Sequence, residues 1–107
     1  MAGNKLGILL TTSPESEDRH TVAKLCEAAL ESGKEVQIFM MCDGAFNSYC
    51  ESITALIPKG VKISQCHHNA GERKIPEEHE KELGIASASQ YIFSGIISEV
   101  DKLITFC

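Results

Sequence analysis

Residues 5–11 read KLGILLT, a nearly continuous apolar run with the length of one β-strand. A strand with one face in solvent alternates apolar and polar residues, whereas an uninterrupted apolar run is typical of a strand covered on both faces. Parallel sheets that carry helices on both sides contain strands of this kind. We therefore expect a first strand at Lys5–Thr11 that is buried on both faces.

A helix is expected directly after this strand. Ser13 precedes Pro14, and acidic residues follow at positions 15, 17 and 18. Serine is a common helix cap, proline suits the first helical position, and acidic side chains are favourable at the positive end of the helix dipole. The pattern predicts a helix from Pro14 to about Ser32, which Gly33 terminates.

The rest of the chain repeats this alternation of strand and helix. Further strands are expected at 35–41, 61–65, 82–86 and 102–106, and helical patterns at 46–57, from 75 onward and after a serine cap at 87 or 89. In the last helix, the residues expected to face inward are Ile92, Phe93, Ile96, Ile97 and Val100. Short connections between alternating strands and helices predict a parallel sheet covered by helices on both faces. We expect one domain spanning residues 1–107.

The composition argues against several classes of protein. With 15 acidic and 10 basic residues, the formal net charge is −5. This balance argues against direct, extensive binding to a nucleic-acid backbone, which usually needs a basic face. No apolar run approaches the roughly 18 residues that span a bilayer. The N-terminus lacks the features of a signal peptide, so we expect a cytoplasmic protein without a membrane contact. In that compartment the five cysteines are expected to be mostly reduced thiols.

The cysteines fall into two groups by position. Cys26 and Cys50 lie on the apolar stripes of predicted helices, where a free cysteine packs as a small hydrophobic residue. Cys42, Cys66 and Cys107 each fall at the carboxyl end of a predicted strand. Ligands and chemistry collect at that edge of an open parallel sheet. The second group therefore contains the candidates for a functional site.

Cys66 has the sequence environment that best suits a reactive thiol. His67 and His68 follow it directly, and Arg73 and Lys74 could fold back over the loop expected at 66–74. Positive charge, histidine and turn amides near a cysteine lower a thiol pKa from about 8.5 to between about 3.5 and 7.5. Alternatively, Cys66 is an ordinary strand-end residue in a solvated loop with exposed histidines. The chemistry of the residues leaves both interpretations open.

A metal site formed by Cys66, His67, His68 and His79 is disfavoured by spacing. Adjacent residues rarely reach one ion together, and the sequence contains neither a CxxC nor an HxxxH pair. We therefore expect no metal. Asp43-Gly44 reads first as a turn that leaves the second strand, although its place at the strand edge makes Asp43 a candidate for the site.

Three segments together resemble the DsrE/DsrF/TusD family of small sulfur-relay proteins. They read KLGILLTTSPESEDRHTVAKLCEAALESGKEVQIFMMCDGAF at 5–46, VKISQC at 61–66 and SGIISEVDKLITF at 94–106. The resemblance implies a DsrE-like three-layer α/β/α sandwich with a five-stranded parallel sheet. One departure is Cys42, which stands where many relatives have glycine before the Asp-Gly turn.

The resemblance also implies a chemistry. In members active in sulfur transfer, a cysteine after the third strand accepts sulfane sulfur as a persulfide and passes it to a partner protein, and this cysteine maps onto Cys66. Such members work in dissimilatory sulfur oxidation or in 2-thiouridine formation on tRNA. The resemblance implies TusA-, DsrC- or TusE-like donors or acceptors, and trimers or hexamers of like or related subunits.

Residue chemistry and resemblance together predict a cytoplasmic sulfur carrier or sulfurtransferase that holds a persulfide on Cys66. In this hypothesis His67 and His68 tune the thiol, Asp43 shapes the edge of the pocket, and Cys42 is a second thiol. No organic cofactor or metal is needed. Two alternatives remain: a non-catalytic, oligomeric binding module of the same fold in which Cys66 is incidental, and a thiol redox sensor that uses Cys42 and Cys66.

Overall fold

A five-stranded sheet forms the centre of the structure, a computed structural model that describes residues 4–107 except for the side chain of Gln90. The strands are β1 (Lys5–Leu10), β2 (Glu35–Met40), β3 (Lys62–Cys66), β4 (Ala86–Ala88) and β5 (Lys102–Phe106). Their order is β4-β3-β2-β1-β5, and every neighbouring pair is parallel. The parallel sheet predicted from the sequence is thereby confirmed.

Within residues 4–107, six helical segments connect the strands. They are α1 (Asp18–Glu31), a 3₁₀ helix (Cys42–Tyr49), α2 (Glu51–Thr54), α3 (His67–Glu72), α4 (Glu77–Leu83) and α5 (Gln90–Glu99). Helices pack on both faces of the sheet, as expected for the three-layer fold. In the described part of the chain, no helix has the length and apolar character needed to cross a membrane.

The larger core lies on the face of the sheet that α1 and α2 cover, which we call the α1 face. Successive strand residues point to opposite faces, so alternate apolar residues of the central strands point here. The buried side chains of this core include Leu6, Ile8, Leu10, Val22, Cys26, Ala29, Val36, Ile38, Met40, Ile53 and Ile63. This packing accounts for the apolar residues at every second position of β1 and β2.

The opposite face, the α5 face, has a smaller core under a single helix. Phe39, Cys66, Ala88 and Ile96 are buried there. Leu9, Met41, Phe93 and Val100 pack against them while remaining partly exposed. One helix covers this face only in part, and that limited cover sets the environment of Cys66.

The inward-facing residues predicted for α5 are correct only in part. Ile96 is buried and Phe93 and Val100 are partly buried, but Ile92 and Ile97 are 49% and 46% exposed. Positions 93, 96 and 100 form one narrow stripe along a helix, whereas 92 and 97 flank it on either side. A single helix on a sheet buries the stripe and leaves the flanks in solvent.

The predicted start of α1 is wrong, because α1 begins at Asp18 and not at Pro14. Residues 13–16 form a turn instead, in which Ser16 N–H donates to the Ser13 carbonyl at 3.0 Å. The Ser16 hydroxyl then accepts a hydrogen bond from Asp18 N–H at 3.1 Å. Serine and acidic residues thus act at the start of the helix, several residues later than predicted. Its end at Glu31, before Gly33, agrees with the prediction.

The helix predicted at 46–57 is divided in two. Cys50 is extended, with φ −98° and ψ 113°, and separates the 3₁₀ helix from α2. Conversely, the loop predicted after Cys66 is the helix α3. The fourth strand lies at Ala86–Ala88 and not at 82–86, because α4 continues to Leu83 and ends at Gly84, whose φ of 81° favours glycine.

The remaining predictions of secondary structure are confirmed. β1, β2, β3 and β5 lie within one residue of their predicted positions. The helical pattern expected from residue 75 onward corresponds to α4, a short acidic helix that follows Pro76. Ser89 caps α5, since its hydroxyl accepts a hydrogen bond from Ile92 N–H at 3.4 Å.

Candidate functional site

Three cysteines lie at the carboxyl edge of the sheet, as the sequence predicted. Cys66 is the last residue of β3, Cys42 begins the 3₁₀ helix two residues after β2, and Cys107 follows β5. Because β2 and β3 are neighbours, Cys42 and Cys66 leave adjacent strands. Cys107 leaves β5, which is separated from β2 by β1.

Cys66 itself is buried. Its side chain belongs to the small core of the α5 face and is only 2% exposed. β3 leads directly into α3, so the solvated loop considered for this residue is absent. Cys42, at the end of the neighbouring strand, is exposed by contrast.

Hydrogen bonds fasten α3 to the turn after β2. The side-chain oxygen of Asn69 accepts a hydrogen bond from Cys42 N–H at 3.0 Å. Arg73 Nε donates to Asp43 Oδ1 at 2.9 Å, and Arg73 Nη1 donates to the Asn69 carbonyl at 3.2 Å. We call Cys42, Asp43, Asn69 and Arg73 the α3 clamp. It fixes the segment that follows Cys66 against the segment that follows the neighbouring strand.

The clamp includes residues that the sequence did not identify. The sequence allowed Arg73 to fold back over the segment after Cys66, and in the structure its side chain is directed to the carboxylate of Asp43. Asn69 was not predicted to have a role. Its contact with Cys42 joins residues 27 positions apart, and no local pattern signals such a pairing.

The two histidines after Cys66 point to different partners. His67 Nδ1 lies 3.0 Å from the Ser87 hydroxyl and connects α3 to β4. His68 Nε2 lies 3.5 Å from Glu72 Oε1, one helical turn along α3. Both side chains are exposed. They therefore lie on the outer surface next to Cys66 and not in the core that contains it.

His79 belongs to another part of the molecule. Its Nε2 lies 2.9 Å from the Ser48 carbonyl, so that nitrogen carries the proton, and its ring stacks on Tyr49 with centroids 3.9 Å apart. The four residues considered for a metal site are therefore not brought together as a set. Among residues 4–107, no cluster of three or more His, Cys, Asp or Glu side chains could hold a metal ion.

The two cysteines expected to be structural do pack in the protein. Cys26 is fully buried in the α1-face core. Burial, and secondarily the charge of Glu27, raises the pKa of its thiol to about 12. Cys50 is half-buried against the same core, with its sulfur 3.1 Å from the Ser52 hydroxyl. Cys26 is consequently an unreactive thiol in the folded protein.

Comparison with known proteins agrees with this architecture. The sequence profile of the DsrE/DsrF-like family matches residues 4–106. The uncharacterized protein MK0008 of Methanopyrus kandleri is 25% identical over 111 residues, which cover 92% of this chain and 91% of that protein.

Two solved structures share the fold. The conserved protein of unknown function BT1422 from Bacteroides thetaiotaomicron has a TM-score of 0.81 at 17% identity, covering 96% of this chain and 95% of that one. The ychN protein from E. coli has a TM-score of 0.80 at 19% identity, covering 99% of this chain and 100% of that one. The profile match over nearly the whole chain shows the family: this protein belongs to the DsrE/DsrF-like family, which is related to sulfur-relay proteins.

Proposed function

We propose that this protein is a sulfur carrier that accepts sulfane sulfur on Cys66 and passes it to a partner protein. The observation that carries the proposal is the position of Cys66. It is the final residue of the third strand, at the edge of a parallel sheet where ligands and chemistry collect, in a chain of the DsrE/DsrF-like family.

The proposed chemistry needs two transfers of one sulfur atom. In the first, the Cys66 thiolate attacks the terminal sulfur of a donor persulfide, R–S–SH. A new S–S bond forms on Cys66, the S–S bond of the donor breaks, and the donor leaves as R–S⁻. In the second, an acceptor thiolate attacks the outer sulfur of Cys66–S–SH and releases the Cys66 thiolate. Neither transfer changes the total number of electrons, so neither requires an external oxidant or reductant.

The neighbouring residues have proposed supporting roles. His67 and His68 are exposed directly after Cys66, where a protonated imidazole would attract the anionic persulfide. The clamp between Asp43 and Arg73 would hold the edge of the site in place. Cys42 is exposed at the end of the adjacent strand and would serve as a second thiol for sulfur leaving Cys66.

Mass spectrometry after incubation with a low-molecular-weight persulfide tests this proposal. We expect the intact chain to gain the mass of one sulfur atom, which a reducing agent removes, and the sulfur to map to the peptide containing Cys66. Cys66→Ser should abolish the gain, whereas Cys107→Ser, a matched change at another strand end, should retain it. A Cys66→Ser variant that still gains sulfur, or a wild-type chain that never does, would contradict the proposal.

The proposed partner proteins and the proposed assembly follow from the same family membership. We propose that sulfur is exchanged with a TusA-, DsrC- or TusE-like carrier, and that the chain assembles as a trimer or hexamer with copies of itself or related subunits. The exposed apolar side chains of Tyr91, Ile92 and Ile97 on α5 support contact with another protein. Sedimentation analysis of the purified chain measures the state of assembly, and a monomer at all accessible concentrations would argue against self-assembly.

One observation favours a second candidate function. Because Cys66 is 2% exposed, a donor cannot reach its sulfur in the conformation described. A non-catalytic binding module, in which Cys66 only fills the small core, is consistent with that burial. This candidate predicts no sulfur loading, and it predicts that Cys66→Ala affects stability alone.

A further inference from the structure

Sulfur transfer through Cys66 requires the buried thiol to become accessible. We propose that α5 is a lid, and that local unfolding of its N-terminal part exposes Cys66 to donor and acceptor. The inference rests on the proposed function, which gives the opening its purpose. The opening itself is a property of the fold and can be measured without any sulfur compound.

The core around Cys66 identifies α5 as its cover. In the small core that contains Cys66, Phe39 and Ala88 belong to the sheet, whereas Ile96 and Phe93 belong to α5. Removing the helix would expose this face of the sheet, including the end of β3. Only a small apolar contact would be lost, because Ile96 is the one buried side chain that α5 contributes, Gln90 aside, and it remains 8% exposed.

The C-terminal end of α5 is firmly attached to β1. Lys5 Nζ lies 3.4 Å from Glu99 Oε1, and Lys5 N–H donates to the carboxylate of Asp101 at 2.9 Å. Asp101 N–H in turn donates to the Lys5 carbonyl at 2.9 Å. Next to these bonds, Val100 packs over Gly7 so closely that a Cβ on Gly7 would lie 3.0 Å from a Val100 methyl. This end is suited to be the fixed end of a lid.

The N-terminal part is held more weakly. The ring of Phe93 stacks on Phe39 with centroids 4.9 Å apart. With the side chain of Gln90 left aside, the side-chain hydrogen bonds of residues 89–98 stay within the helix, namely the Ser89 cap and the bond from the Ser98 hydroxyl to the Ser94 carbonyl. Opening this part would therefore break the aromatic contact with Phe39, but neither of these two hydrogen bonds connects the helix to the sheet.

The helix is also intrinsically weak. It has ten residues, and a helix that short is marginal in water without tertiary support. Gly95 lies in its interior, where glycine is less favourable than alanine, and nothing packs within 4 Å of where its side chain would be. A groove of about 600 Å³ runs along the same side, between α5 and the Lys62, Ser64 and Ala86 side of the sheet. On that side, α5 lacks the support that close packing would provide.

The other segment next to Cys66, α3, is better secured. The α3 clamp connects it to the turn after β2 through two hydrogen bonds, of 2.9 and 3.0 Å. His67 adds a contact with Ser87 at 3.0 Å. Opening at α3 would break all of these polar contacts, so α5 is the segment that opens.

Alkylation of the cysteines under native conditions tests the lid. Cys26 and Cys66 fall in different tryptic peptides, so both rates can be followed in one sample by mass spectrometry. Each rate is divided by that of the same cysteine in the urea-unfolded chain, which leaves the fraction of time the thiol is exposed. Cys26 is fully buried on the other face and reports global unfolding. We expect the normalised rate of Cys66 to exceed that of Cys26 at least about a hundredfold.

Three variants determine how Cys66 becomes exposed. Phe93→Ala removes the aromatic stack and should raise the Cys66 rate about tenfold. Gly95→Ala strengthens the helix and should lower that rate about fivefold. Ile53→Val, on the opposite face, weakens the global fold and should raise the Cys26 rate about fivefold while leaving the Cys66 rate unchanged.

Equal normalised rates for Cys26 and Cys66 would overturn the proposal, since both would then require global unfolding. So would an equal effect of Ile53→Val on both residues. Asn69→Ala loosens the clamp, and we expect it to leave the alkylation rate of Cys66 unchanged. If it raised that rate more than Phe93→Ala does, the opening would be at α3. A lid that opens in a chain that never gains sulfur would leave this inference intact and refute the proposed function alone.

Discussion

Gly44→Ala should severely destabilise the protein, because no room exists for even one methyl group. A Cβ built on Gly44 would lie 2.0 Å from the Leu10 carbonyl oxygen, 2.7 Å from the Leu10 carbonyl carbon and 3.0 Å from Thr11 Cα. All three atoms belong to the backbone, so no side-chain rotation can relieve the overlap. The 3₁₀ helix must move away from the end of β1, and it would displace Cys42 and Asp43 of the clamp.

The size of the effect follows from the kind of overlap. Overpacking a protein interior costs typically about 1–3 kcal/mol, and overlap with rigid backbone belongs at the upper end, about 3 kcal/mol. Unfolding entropy of about 2.1 cal/mol/K per residue corresponds to about 0.22 kcal/mol/K for this chain, so Tm should fall by about 13 °C. Thermal unfolding followed by circular dichroism measures this change.

Gly71→Ala provides a matched control. Gly71 lies in α3, next to the same clamp, and nothing lies within 4 Å of where its Cβ would be. The same substitution should leave Tm unchanged or raise it slightly, because alanine favours a helix by up to about 1 kcal/mol over glycine. If the two variants had Tm values within about 2 °C of each other, the close approach of Gly44 to β1 would be refuted.

Three further predictions concern buried and charged groups. Gln65 is fully buried, and both polar atoms of its amide lack a hydrogen-bond partner in the described part of the chain. Gln65→Leu should therefore raise the free energy of unfolding, measured by urea titration, by about 1 kcal/mol. A decrease of that size would show that the amide is hydrogen-bonded. Because the pKa of Cys26 is raised to about 12 from 9.0, the unfolded chain ionises first and stability should fall as pH rises through 9 toward 12. Cys26→Val should lack this decline, and equal slopes of urea midpoint against pH for the two proteins would contradict the assignment. Asp43→Asn removes the charge opposite Arg73 on the surface. It should lower the free energy of unfolding by at most about 1 kcal/mol, and by less at high salt. A larger decrease would show that the clamp stabilises the protein more than a surface ion pair does.

The sheet could be predicted because its strands have a local signature. The apolar runs at β1, β2 and β5 are consequences of cover from helices, and short connections with alternating helices leave a parallel arrangement as the natural solution. The edge at which Cys42, Cys66 and Cys107 lie follows from that arrangement alone. The family resemblance pointed to the same fold through segments covering most of the chain.

The environment of Cys66 could not be predicted in the same way. In β3, Ile63 and Gln65 point to the α1 face, while Ser64 and Cys66 point to the other. A buried glutamine on one face and a serine beside the cysteine on the other give no clear signal for which face is covered. The burial of Cys66 depends on where α5 lies, which is a tertiary property.

The helix α3 was missed for a related reason. Its sequence, HHNAGE, contains asparagine and glycine, which favour loops over helices. The contacts that hold it come from Cys42 and Asp43, 27 and 30 residues away from their partners. Tertiary contacts here outweigh the local preference of the chain.

The backbone of Cys42 has a consequence for how this site would evolve. Its φ of 53° lies in the left-handed region, which disfavours a side chain by roughly 1–2 kcal/mol relative to glycine. Stability and thiol chemistry therefore make opposite demands on this one position. In a randomised library, selection for thermal stability alone should enrich glycine at position 42, whereas selection for sulfur transfer should retain cysteine there if the second thiol is used.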